Sequence, residues 1–539
     1  MKKVITKTTL NLLIVILAFP VMANSQSLFQ RTYGGFALDW ANSLQQTPDS
    51  GYIVLGTTAS FGAGLKDFYL LKLSKTGDTI WTKTYGGSTG DDEGKSVVQT
   101  ADGGYMIAGT TFSFGAGSSD FYIIKTDGAG SVIWSKTYGG VNAEVCNQLK
   151  LCSDNGFLMA GYTSSYGLGT RNNYLIRTNE FGDTLWTKSF HKNNNEQADA
   201  VQQTSDGGFV LAGFTAIAGM QQDAYLVKTD AAGNIMWAKN YGGALNDLVH
   251  SVIQTADGGF CLAGRSDSYG VGASDVYVVR TDANGDTLWS RSYGDVNEDD
   301  ANSIMQTPDG GFVITGITRK TGAGADDLLF MRIDSIGQLI YGHTIGGISN
   351  HRDEAFAVTS TFDGGIALVG YSQTFGVGSA DIIFAKADSM GNSGCVQANA
   401  FLTSGNVASS VSNLTFTTAQ GGIINNPITV ESIVAPSIED PCSPVGLPDM
   451  LNSLNHSFIY PNPFRESATL KIFNLLGSMP IQIAYFDLQG RMIQSLNTEM
   501  NSNAEVQINL QNLLPGMYMY KVTQRYNNSM LSFGKFIIE

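Results

Sequence analysis

An aspartate-led glycine turn returns seven times in this chain, at Asp49, Asp102, Asp154, Asp206, Asp257, Asp309 and Asp363, with steps of 53, 52, 52, 51, 52 and 54 residues. Most copies carry the same sequel: an apolar strand, a glycine-rich loop, a strand bearing Tyr or Phe, a second glycine turn and a strand bearing Trp. A period near 50 with about four strands per unit is the pattern of propeller blades, in which each unit leaves apolar faces that only a stacked neighbour covers. The expected fold is all-β: a seven-bladed β-propeller over residues 29–388.

The second repeat supplies the topology. SVVQT (96–100), YMIAGTT (105–111), FYIIKT (121–126) and IWSKTY (133–138) are strands separated by turn residues, which makes a four-stranded antiparallel meander. The seventh repeat ends at 388–395 without a Trp strand, while FQRTYGG (29–35) matches WTKTYGG (81–87) and precedes the first repeat. The N-terminal strand is therefore expected to complete blade seven and leave no free sheet edge at the junction.

Two sets of repeated charges follow. A base lies 22 or 23 residues after each turn aspartate, as Lys125 does after Asp102, and the geometry predicts ion pairs on the turn face. An acid lies ten residues before each turn aspartate: Asp39, Asp92, Glu144, Glu196, Asp247, Asp299 and Asp353. A second acid opens the third strand at Asp67, Asp120, Asp223, Asp275, Asp327 and Asp381, with Asn172 in blade three. Both acidic sets fall on the loop face. They either close turns and accept backbone amides or bind a cation, for which carboxylates suit calcium. On the second reading that face carries excess negative potential.

Departures from the repeat are the candidates for ligand contact: Trp40, His191, Lys192, Asn194, His250, His351 and Arg352. His250 stands where blade two has Lys95. Drift on solvated loops is the competing explanation for each. HExxH, GxxxxGK[ST] and CxxC are all missing, which removes the zinc-peptidase and phosphate-loop readings. Net charge is −15, from 32 Lys+Arg against 47 Asp+Glu, so nucleic acid and anionic membranes are poor partners.

Residues 1–25 read as a secretory signal, with Lys2 and Lys3 before an apolar run and small residues at Ala23 to Ser25. No transmembrane segment is expected once it is removed. Cys146, Cys152 and Cys261 read as small buried residues. Cys395 and Cys442 bracket a polar linker at 389–455 and are expected to form a disulfide.

The repeat resembles the Kelch-like, glycine-rich propellers of secreted bacterial proteins, which implies no single activity. The segment 456–539 resembles the C-terminal sorting domain of the type IX secretion system of Bacteroidetes. The matching residues are Pro461, Asn462 and Pro463 in YPNPF, Gly490 in DLQGRMI, Gly516 and Tyr518 in LPGMYMY, and Gly534 and Lys535 in GKFIIE. From the residues alone, the segment is a small β-sandwich. The resemblance implies export through the periplasm by the type IX machinery, removal of the tail, and release or attachment at the outer surface. The expected function is a monomeric secreted or cell-surface binding module for a glycan or protein; the alternative is a propeller enzyme acting on polysaccharide.

Overall fold

The computed structural model describes residues 27–539 apart from 169, 193–194, 218–220, 320–325, 348–350, 395–396, 401, 407–409, 414–416, 420–422, 426–429, 434–436, 440–456, 461–466, 473–478, 487–490, 501–504, 510–515, 526–529 and 539. The signal segment 1–25, Asn194, Cys395, Cys442, Pro461, Asn462, Pro463 and Gly490 lie outside the described residues.

Seven antiparallel meanders form the blades. In blade two the strands run from the inner Asp92–Gln99 through Tyr105–Thr111 and Asp120–Thr126 to the outer Val132–Gly139. Blade seven takes three strands from the end of the array and its fourth, Phe29–Gly34, from the beginning. Phe29 stands opposite Lys386 and Tyr33 opposite Ile382, which is the closure that the misplaced first copy of this strand predicts.

The core lies between neighbouring blades. Phe68 and Tyr85 of blade one, for example, pack with Ile107 and Tyr122 of blade two, all buried. Repeated Tyr, Trp and Gly make one latch across this seam. The Tyr85 hydroxyl donates to the Gly130 carbonyl of the next blade at 2.6 Å, and Tyr33, Tyr138, Tyr241 and Tyr293 make the equivalent bond at 2.5 to 2.7 Å. Gly130 has φ +79°, and a Cβ there would sit 2.9 Å from the Trp81 ring, so the turn needs glycine both for its conformation and for the indole that covers it. On the turn face, side-chain carbonyls of Gln46, Gln203, Gln254 and Gln306 accept backbone N–H groups of the adjacent blade's turn at 2.7 to 3.0 Å.

All seven predicted turn-face ion pairs form, from Lys72–Asp49 at 2.8 Å and Lys125–Asp102 at 2.9 Å to Lys386–Asp363 at 3.1 Å. The bases are buried along their stems and the acids stay solvated, so each pair contributes about 0–1 kcal/mol. Their structural weight lies in fixing the third strand to the first hairpin. Cys146, Cys152 and Cys261 are free thiols and buried.

Part of the segment read as a linker is built into the propeller. Short strands of residues 398–439 add a fifth strand to every blade, visiting blades six, five, four, three, two, one and seven in turn. Ser404, Val411, Thr418, Ile424, Glu431 and Ile438 stand opposite Tyr293, Tyr241, Phe190, Tyr138, Tyr85 and Tyr33, so the belt advances one blade every six or seven residues. The sequence reading missed it because each strand has only two to four residues and no alternating apolar pattern. Such strands have meaning only against an edge that already exists.

The chain divides into two compact units, up to Ser443 and from Pro444. The second unit holds a three-stranded sheet and a four-stranded sheet, the expected small sandwich. Its last strand, Met530–Ile538, pairs with Gly516–Gln524: Gly516 faces Ile538, Tyr518 faces Phe536, and Gly534 and Lys535 face Tyr520 and Met519.

Candidate functional site

A β-bulge recurs in all seven inner strands, between Ala41 and Ser43, Gly94 and Ser96, Cys146 and Gln148, Ala198 and Ala200, Val249 and Ser251, Ala301 and Ser303, and Ala355 and Ala357. The bulge explains a second repeated glycine. A Cβ at Gly109 in the neighbouring strand would collide with the Glu93 carbonyl that the bulge pushes toward it. It also re-aims one side chain per blade. These seven residues are Asn42, Lys95, Asn147, Asp199, His250, Asn302 and Phe356, all half-buried around one central cavity of about 600 Å³. Two residues nearer the loop face, a second tier reads Trp40, Glu93, Val145, Gln197, Leu248, Asp300 and Glu354. Neither tier repeats, whereas the latch and ion-pair positions do.

Polar contacts link the tiers on blades four to seven. His250 Nδ1 is 3.1 Å from Asp199 Oδ2, and its Nε2 is 3.6 Å from Asp300 Oδ2. Burial works against protonation of this imidazole, but the charges and hydrogen bonds of Asp300 and Asp199 override it and raise its pKa to about 10. Asn302 Nδ2 donates to Glu354 Oε1 at 2.9 Å, Arg352 pairs with the same carboxylate at 3.0 Å, and Tyr371 OH lies 3.4 Å from it. The Phe356 and Tyr371 rings are 5.8 Å apart. On the opposite wall, Lys66 sits 5.6 Å from the Trp40 ring centre and 3.2 Å from Glu93.

Of the residues singled out from sequence, His250 and Arg352 thus meet the second-tier carboxylates Asp300 and Glu354, while Trp40 lies apart on blade one beside Lys66. His191 is buried at the end of an outer strand, while Lys192 and His351 are exposed on inter-blade connections. Reasoning by departure from the repeat reached His250 but missed Asp199, Asp300, Asn302 and Phe356. The signal was available: in an aligned repeat, these columns vary in chemistry while their neighbours hold.

The repeated loop-face acids have a different role from the one a cation site would need. Asp39, Asp92, Glu144, Glu196, Asp247, Asp299 and Asp353 are all fully buried. Asp39 accepts the Gly35 N–H at 2.8 Å, while Asp92, Glu144 and Asp247 accept those of Gly87, Gly140 and Gly243 at 2.7 Å. Asp299 accepts the Asp295 N–H at 2.9 Å, and Asp353 accepts the Thr374 hydroxyl at 2.6 Å. Glu196 has the Thr215 hydroxyl at 3.5 Å. Asp39, Asp92, Glu144, Asp247 and Asp299 hold the chain where it crosses between blades, Glu196 and Asp353 bond within their own blades, and all seven are buried, so these acids present no charged face to solvent. Among the described residues no group of three or more His, Cys, Asp or Glu is placed to hold a metal ion.

The second acidic set closes on the same crossings. Asp120 accepts the Ala116 N–H at 2.8 Å, and a Cβ at Gly139 would run into Asp120 while lying 2.7 Å from Glu144. Burial first, and neighbouring carboxylates second, push Asp120, Asp223 and Asp299 up to about 6. On the turn face partial burial acts the other way from hydrogen bonding, and bonds from Thr100 and Lys125 hold Asp102 at about 2. The two groups give opposite slopes. The raised acids contribute stability that is complete below pH 3.8 and lost as pH rises through 6; the lowered acids contribute stability complete above pH 3.8 and lost as pH falls through 2. The melting temperature is therefore expected to peak near pH 4 to 5 and to fall by several degrees at pH 7.5. Asp120→Asn with Asp223→Asn should flatten the neutral side of that curve, since Asn172 already fills the equivalent place in blade three. An unaltered slope in thermal melts of the double variant would refute this account.

The fold and its tail define a class of protein, an exported seven-bladed propeller. Residues 458–539 match the secretion system C-terminal sorting domain family. The protein is accordingly directed through the periplasm to the outer cell surface, anchored there or released. No helix among the described residues is long and apolar enough to cross a membrane. A search of curated proteins returns no match. Among solved structures, the polysaccharide lyase Uly1 is 10% identical with TM-score 0.42, over 65% of this chain and 90% of that one. An endo-1,5-alpha-L-arabinanase from Thermotoga petrophila RKU-1 is 10% identical with TM-score 0.23, over 66% of this chain and 99% of that one. Likeness at this level carries nothing about activity.

Proposed function

We propose that the protein is a secreted or surface-displayed binding module that takes a glycan into the loop-face mouth of its central channel. One observation carries this reading: the bulge turns one residue per blade into the channel, and there the residue varies among Asn, Lys, Asp, His and Phe although the latch and ion-pair positions of the blade repeat. Binding residues collect on variable positions held by a rigid scaffold, and the cavity has the size of a small-molecule site. Phe356 gives the cavity an apolar ring face, Trp40 stands two residues before Asn42 on the loop-face side, and the amides of Asn42, Asn147 and Asn302 give hydrogen-bonding partners for hydroxyl groups. A protein loop is the competing ligand.

Binding is favoured over polysaccharide cleavage because the neighbouring carboxylates Asp300 and Glu354 are already matched by His250 and Arg352. Neither is left free to carry a proton to or from a glycosidic bond. Titration of the full chain against an oligosaccharide panel is the test. Trp40→Ala with Phe356→Ala is expected to weaken the bound glycan at least tenfold while shifting the melting temperature by less than about 3 °C, an interval that corresponds to about 1 kcal/mol. Unchanged affinity would place the ligand elsewhere.

A further inference from the structure

The charge of the cavity is opposite to that of the chain. Lys95, Lys150 and His250 line it as cations and Asp199 as the only anion among the described residues, in a chain of net charge −15. Asp199 is fully used: besides His250 it accepts from Asn147 at 3.1 Å and from Gln197 at 2.6 Å. Among the described residues Lys95 has one acid within reach, Glu93 at 3.6 Å, and Lys66 shares that carboxylate at 3.2 Å. Among the described residues Lys150 has no carboxylate partner.

The position of Lys150 sharpens the contrast. Its equivalents in blades one and four are Gln45 and Gln202, whose side-chain carbonyls each accept a backbone N–H of the next blade at 2.8 Å. A lysine has no acceptor to offer. Like Val98, Ile253, Met305 and Thr359 at this position in the other blades, Lys150 makes no such bond, and it alone leaves an ammonium half-buried in the channel wall, where loss of water works against its charge. An unpaired buried charge destabilises a fold, and such groups persist where a partner arrives to neutralise them.

We propose that this channel binds the carboxylate of an acidic sugar, with Lys150 and Lys95 holding the anion; the assignment rests on the glycan-binding reading above and adds to it the chemistry of the ligand. Asn42 and Asn147 stand beside the two lysines on blades one and three. Their amide nitrogens donate to the Gly94 and Ala198 carbonyls, so the side-chain oxygens are the acceptors these residues can offer to sugar hydroxyls. Phe356 supplies an apolar ring on the same cavity wall. A space of about 600 Å³ takes one to a few sugar rings and shuts out a folded partner.

The experiment is calorimetric titration of the full chain with alginate, polygalacturonate and hyaluronan oligosaccharides, each beside its carboxyl-reduced, neutral counterpart, and with a glutamate hexapeptide. At least one acidic oligosaccharide is expected to bind, and carboxyl reduction is expected to weaken it tenfold or more. Lys150→Met should cause the same loss while raising the melting temperature by about 1–3 °C, because it removes an uncompensated charge at nearly constant volume. A structural lysine would behave in reverse, losing stability when replaced. Equal binding of acidic and reduced sugars, or a Lys150→Met variant with full affinity, overturns the assignment. Neutral sugars that bind and respond to Trp40→Ala with Phe356→Ala would leave the glycan reading standing without the anion. Preference for the glutamate peptide, or no saccharide binding of any kind, overturns both.

Discussion

Deletion of residues 27–34 is expected to lower the melting temperature by more than 10 °C, or to abolish folding. The strand Phe29–Gly34 is short, yet Phe29, Gln30, Thr32 and Tyr33 are buried in blade seven. Phe29 packs edge-on against Phe384 with ring centres 5.1 Å apart, and Tyr33 donates its hydroxyl to Gly77 of blade one. Loss of two buried aromatics costs about 3–5 kcal/mol each with the cavities left behind, against a total stability of about 5–15 kcal/mol for a typical domain. The backbone of Asp381–Ala387 would also lose its partners along one edge. Thermal unfolding of this variant beside one lacking an equal length at 444–451 is the measurement. Equal melting temperatures would show that the ring does not depend on its N-terminal strand.

The second large effect is on solubility. A chain ending at Gly394 lacks the belt and one ending at Ser443 keeps it, both without the sorting unit. The shorter chain is expected to aggregate at concentrations where the longer one stays monodisperse, while their melting temperatures differ by only a few degrees. The magnitudes decide which property moves. Each belt strand adds two to four residue pairs to a blade, and a net hydrogen bond is worth about 1 kcal/mol. Ordering the same residues costs about 1–2 kcal/mol each, so the two terms nearly cancel. What the belt changes is the state of the outer edges. Without it the outer strand in every blade presents unpaired N–H and C=O groups, the known template for edge-to-edge association. Light scattering of the two chains checks this, and a monodisperse short chain would show that the edges are protected by other means.

Much of the architecture was legible in the residues. The seven aspartate turns set the number of blades, the displaced copy at 29–35 announced the closure, and the spacing from Asp102 to Lys125 foretold an ion pair that forms in all seven blades. These succeed because each depends on period and strand direction, which alternate along one chain without reference to anything distant. The loop-face acids were legible in position but not in exposure. Asp92 and Asp120 carry the same charge in the sequence whether they face water or a backbone amide, and only the packed crossing at the repeated glycines buries them.

The sequence by itself determined a closed, seven-bladed, all-β ring with an export tail, since local turn chemistry and a period near 50 residues admit no other stacking. Tertiary structure alone decided the belt and the channel. Residues 398–439 become strands only because seven outer edges already exist for them to pair with. Lys95, Asp199, His250 and Phe356, up to some 260 residues apart, become one site only because a bulge of one residue per blade turns each toward a common axis. Neither the edge nor the axis is a property of any local segment; both arise from closure of the ring.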